Sequence, residues 1–92
     1  MNTSDEKLFG LFKCPLDNDT EVLFASFNLD SLKEKMMAES KKRIKELKHL
    51  YNGNDDDFEI EYNDSSISIK FDRERDNLYY IEEIPFIVKP QI

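Results

Sequence analysis

The chain has 92 residues, 39% apolar and 36% charged, with seven Phe and four Tyr but two Gly and three Pro. That supplies large side chains for one small core and excludes a second core or a low-complexity chain. A net charge of −7 opposes non-specific nucleic-acid binding, and the lone Cys14 excludes an intramolecular disulfide and a cysteine-built zinc site.

Residues 1–7 are polar, and MNTSDEKLFG lacks the basic start and apolar run of a signal peptide. No stretch approaches the ~18 apolar residues of a membrane span, so the expected setting is reducing and cytoplasmic. Residues 8–14 (LFGLFKC) predict a strand, with Gly10 a bulge or a point of close approach and Pro15 its end. Residues 16–20 (LDNDT) carry turn chemistry, because short Asp and Asn side chains bond their own backbone. Residues 21–27 (EVLFASF) predict a second strand and, with the first, an antiparallel hairpin. Both strands are apolar on two faces, as expected inside a sheet or under a partner.

Residues 27–53 have the clearest period. Leu29, Leu32, Met36, Ile44, Leu47 and Tyr51 recur at three- and four-residue steps, with Ser40 filling the gap, which predicts one face of a helix. Asn28 is the expected cap, with Phe27 and Leu32 as a hydrophobic staple. Asn52-Gly53 is the expected left-handed stop. Asp30 near the start and Lys45, Lys48 and His49 near the end suit the helix dipole.

Residues 54–57 (NDDD) predict a solvated acidic loop. In 58–62, Phe58, Ile60 and Tyr62 alternate with Glu59 and Glu61, the pattern of a strand with one wet face. After a turn at 63–66, Ile67, Ile69 and Phe71 give its partner. Residues 72–77 (DRERDN) predict a charged turn and 78–84 (LYYIEEI) the last long strand, with 86–88 an edge extension beyond Pro85. The order ββαβββ predicts a single α+β domain over residues 1–92. Its two layers are one long helix packed on an antiparallel sheet of about five strands.

The charge is unevenly spread. From Lys33 to Lys48, seven bases face three acids, giving +4, and the remainder carries −11. Lys41, Lys42, Lys45 and Lys48 form a helical row of the kind phosphate contacts need, although Glu34, Glu39 and Glu46 are interleaved. Glu59, Glu61, Asp64, Asp72, Glu74, Asp76, Glu82 and Glu83 offer the opposite chemistry: carboxylates spaced like phosphates, able to occupy a partner's nucleic-acid groove. Tyr79, Tyr80 and Phe86 are the expected aromatic anchors of such an interface.

Catalytic signals do not appear. Cys14 and His49 fall in different elements, with Cys14 expected as a small core residue, and no G-x-S-x-G, His-Glu-x-x-His or glycine-rich phosphate loop occurs. Asp55, Asp56 and Asp57 lack the Gly and Glu that would complete an EF-hand calcium loop. Neither enzyme activity, nor a cofactor, nor a metal is expected.

The closing Tyr79-Tyr80-Ile81-Glu82-Glu83-Ile84, preceded by a hairpin and a Lys/Glu-rich helix starting at Asn28, resembles small accessory proteins of bacteria and their phages. The resemblance covers the element order and those six residues, and brings no catalytic residue with it. It implies a compact accessory protein, of the kind that includes phage-encoded inhibitors of host defence such as anti-CRISPR proteins. The expected function is a non-enzymatic protein-binding module, in its specific form an inhibitor of a host nucleic-acid-binding protein acting through the acidic surface. The alternatives are direct nucleic-acid binding by the basic helix, or a small homo-oligomeric accessory protein paired through an edge strand.

Overall fold

The computed structural model describes residues 7–85. Helix α1 (Leu29–Tyr51) starts at the expected cap: Asn28 is extended and its side-chain oxygen accepts from the Ser31 N–H at 3.1 Å. It ends at Asn52, which takes the left-handed conformation at φ 54°. Gly53 has no positive φ; it is a point of close approach, where an added Cβ would lie 2.9 Å from Phe71 Cε1.

Among the described residues, five strands follow the predicted order: β1 (Leu8–Pro15), β2 (Glu21–Ser26), then after α1 β3 (Phe58–Asn63), β4 (Ser66–Phe71) and β5 (Glu74–Ile84). They form one antiparallel sheet in the order β2-β1-β5-β4-β3, so the last described strand lies at its centre. The described residues make an α+β fold, one long helix on a five-stranded antiparallel sheet.

The alternation of each strand decides what the helix covers. Leu11, Ile67, Ile69, Tyr79 and Ile81 form the buried sheet surface, and Leu32, Met36 and Leu47 complete the core from α1. Ser40, the polar gap in the helical stripe, is fully buried, and its hydroxyl donates to the Met37 carbonyl at 2.8 Å. Bonding its own helix removes the cost of burying it. Tyr51, the last member of the stripe, is 64% exposed and leans on the Phe71 ring at 5.7 Å.

Three local expectations change. The charged turn expected at 72–77 shrinks to Asp72 and Arg73, both with positive φ (52° and 71°), joining Phe71 to Glu74. Positive φ at both central residues matches the right-handed twist of the strands, so β5 starts earlier than its composition suggests. Residues 54–57 are more structured than a solvated loop: Asp55–Asp57 is a 3₁₀ turn, and Asp57 accepts from the Asn54 N–H at 2.9 Å. The Asp57 carbonyl accepts from the Asp72 N–H at 2.9 Å, and the Asp55 carboxylate pairs with Lys48. Cys14 is half-buried on the sheet side away from the helix, rather than in the core. The extension predicted at 86–88, with Phe86, lies outside the described residues; the described sheet edges are β2 and β3.

Candidate protein-binding face

The sheet face opposite α1 is apolar at its centre, and no described element covers it. Residues that share it are read from the register: Leu8, Gly10, Phe12 and Cys14 of β1 lie across from Ile84, Glu82, Tyr80 and Leu78 of β5. Phe12 and Tyr80 stack with centroids 5.1 Å apart and planes 14° apart. Gly10 makes room for this arrangement. A Cβ there would lie 2.7 Å from Ile84 Cδ1 and 2.9 Å from Phe12 Cε2, so both side chains lie down over bare backbone. Val22, paired with Phe12 from β2, extends the patch and is 55% exposed.

Acid borders the patch on the β3 side and above Gly10. Glu59 and Glu61 stand on the same face beside Lys70 and Ser68, around a shallow hollow of about 240 Å³. Glu82, opposite Gly10, joins them. An aromatic pair inside a charged rim is the usual anatomy of a protein interface.

The other predicted acids are dispersed. Asp64, in the β3–β4 turn, pairs with Lys33 of α1 at 3.0 Å. Glu83 points to the helix side and pairs with Lys7 at 3.7 Å. Asp72 and Glu74 stand at the β4–β5 turn, on the rim of a cleft of about 860 Å³. Asp76 is turned inward by a β-bulge: Ile69 pairs with Asn77 and Lys70 with Arg75, which leaves Asp76 as the extra residue. Its carboxylate accepts from Arg43 Nε at 2.7 Å and Nη2 at 2.8 Å. Burial pushes the Asp76 carboxyl up, but the Arg43 hydrogen bonds and charge outweigh it and hold the group below the usual carboxylate range. The Arg43 guanidinium is raised in turn, first by its hydrogen bond to Asp76.

Of the aromatic anchors, Tyr80 lies on the open face while Tyr79 is 1% exposed beneath the helix. Burial, and then the charge of Glu39, push the Tyr79 phenol up to about 12. On the helix, Lys41, Lys42 and Lys45 remain exposed, whereas Lys48 pairs with Asp55 and sits 5.9 Å from the Phe58 ring. Among the described residues no group of His, Cys, Asp and Glu is arranged to hold a metal ion, and no helix is long and apolar enough to cross a membrane.

Sequence reasoning missed Phe12, Leu78 and Ile84 as surface residues. The available signal was the two-faced apolar character of 8–14: one face fills the core, and the second has no described cover. The chain matches no protein-family model, no curated protein and no solved structure.

Proposed function

We propose that this chain is a non-enzymatic protein-binding module whose contact surface is the open sheet face. The observation that carries the reading is the Phe12–Tyr80 stack, half-buried at the centre of a face without described cover, with Glu59, Glu61 and Glu82 around it. Rigid aromatic side chains supply contact area at low entropic cost, and Glu59, Glu61 and Glu82, which outnumber Lys70 and Arg75 on this face, favour a basic partner through steering and register. A basic partner includes the class of nucleic-acid-binding proteins. The specific form of the reading is therefore an inhibitor that occupies such a protein's nucleic-acid site, a phage or mobile-element inhibitor of host defence being the instance its sequence resemblance suggests. The lone Cys14 suits a reducing, cytoplasmic setting.

Direct nucleic-acid binding by α1 is the second reading, favoured by the exposed row Lys41, Lys42 and Lys45. Pairing of Lys48 with Asp55 and Arg43 with Asp76 removes two cations from that surface, which weakens it. Two sets of variants separate the readings. Phe12→Ala with Tyr80→Ala should abolish partner capture while Lys41→Glu, Lys42→Glu and Lys45→Glu leave it intact. Loss of binding in the lysine set alone would transfer the function to the helix.

A further inference from the structure

The 860 Å³ cleft lies between the β1–β2 loop, the C-terminal half of α1 and the β4–β5 turn, away from the open sheet face. Its floor includes Leu47 and Asn77, each 2% exposed. Asn77 Nδ2 donates to Asp76 Oδ2 at 2.7 Å, but Asn77 Oδ1 has no hydrogen-bond partner. Exchanging the amide's oxygen and nitrogen would set an oxygen against the Asp76 carboxylate, so the acceptor cannot be rescued by a flip. A buried acceptor without a donor is costly. Asn77 lines the cleft, so a donor-bearing group that fills the cleft is placed to meet this oxygen.

The charge of the cleft says what that donor is attached to. Asp17, Asp19, Glu21, Asp72, Glu74 and Asp76 line it against Lys13, Arg43 and Arg75, a net of −3. Asp76 and Arg43 neutralise each other, and Arg75 leans towards Cys14 Sγ at 4.0 Å. The remaining five carboxylates make no ion pair among the described residues. Pro15, Leu16, Leu47 and the adjoining Tyr51 and Phe71 rings give apolar walls between the charges. An apolar stem carrying a planar, cationic, multi-donor head fits this combination: the stem lies on the walls and the head meets carboxylates and the orphan oxygen.

We propose that the cleft receives an arginine side chain presented by a protein partner. This rests on the reading of the chain as a protein-binding module, but on a different surface from the sheet face. The test is an NMR titration of the isotope-labelled full chain with N-acetyl-arginine methylamide, and in parallel with its citrulline counterpart, which keeps the shape and loses the charge. The proposal predicts saturable shifts at the Asn77 side-chain amide, at residues 72–74 and in the 16–20 loop. Citrulline should bind roughly tenfold more weakly, a difference of the size charge-assisted hydrogen bonds supply. Asp72→Asn with Glu74→Gln, both exposed and remote from the core, should weaken the arginine probe about fivefold or more. Glu59→Gln with Glu61→Gln should leave it unchanged. Asn77→Ser, checked for folding by its spectrum, should reduce the preference for arginine over citrulline.

Equal binding of the two probes would overturn the proposal, as would shifts spread equally over Glu59 and Glu61. If that happens while partner capture still depends on Phe12 and Tyr80, the cleft is eliminated and the sheet face retained. Arginine binding in the cleft with capture indifferent to Phe12 and Tyr80 supports the cleft and eliminates the sheet face.

Discussion

Arg43 and Asp76 join the helix to the sheet through two parallel hydrogen bonds of 2.7 and 2.8 Å, and the pair depends on one extra residue in β5. Without the bulge, Asp76 would alternate onto the far face of the sheet. With it, a carboxylate reaches across to a guanidinium from the middle of α1, and both side chains stay less than a third exposed. Geometry of this kind is stronger than an exposed pair and carries less desolvation than a buried one.

Removing one partner should therefore cost an intermediate amount. Arg43→Met is expected to lower stability by about 1–3 kcal/mol, from the range between exposed and buried pairs. Urea unfolding of Arg43→Met, Asp76→Asn and the double variant measures the coupling, and the double variant should lose less than the sum of the two.

Acid should weaken the same joint. The Asp76 carboxyl in the folded chain lies below its unfolded value of about 3.9. Its contribution is therefore fully present above about pH 4 and lost as pH falls further through the folded value, because the unfolded chain takes up the proton first. Urea midpoints followed from pH 7 to pH 2 should fall less steeply below about pH 4 in Asp76→Asn than in the wild type.

The alkaline side is set by Tyr79. Its phenol is pushed up to about 12 by burial, against about 10 in the unfolded chain. Stability is complete below about pH 10 and declines as pH rises towards 12, by roughly 2–3 kcal/mol in all. Absorbance titration should show one tyrosine ionising late, and Tyr79→Phe should remove both that step and its share of the alkaline loss.

Arg73 sits at φ 71° in the β4–β5 turn, a conformation that costs a residue with a Cβ roughly 1–2 kcal/mol. Arg73→Gly should raise stability by about 0.5–1 kcal/mol, net of the greater entropy glycine gains on unfolding. Thermal unfolding measures it, and a lower melting temperature would contradict the turn assignment.

These joints show what periodicity can and cannot report. The helix was legible in full, because Asn28, the stripe from Leu29 to Leu47 and the Asn52 stop agree at every level. Strands with one wet face, such as 58–62, were legible for the same reason. Strand order was not, since hairpin signals are local and the β1–β5 pairing joins opposite ends of the sequence. The bulge at Asp76 was hidden too: Asp72 to Asn77 has the composition of a turn, and only pairing with β4 shows a strand with one residue too many. The acids therefore looked like one surface, when Asp76 supports the helix, Glu83 and Asp64 have cationic partners, and Glu59, Glu61 and Glu82 share the open face. For the aromatic residues, Tyr79 and Tyr80 are neighbours in sequence and point to opposite sides of one strand.

Binding of a basic protein by the open sheet face is the proposal on which the rest depends. Its most direct test is affinity capture from a host-cell lysate at low salt and at about fivefold higher ionic strength, which shortens the range of exposed charge pairs, with wild type and the Phe12→Ala, Tyr80→Ala variant side by side. The expected result is a nucleic-acid-binding protein retained by the wild type at low salt, reduced at high salt and absent from the variant. Recovery of nucleic acid alone, of the chain's own copies alone, or of the same partner by both proteins would contradict it.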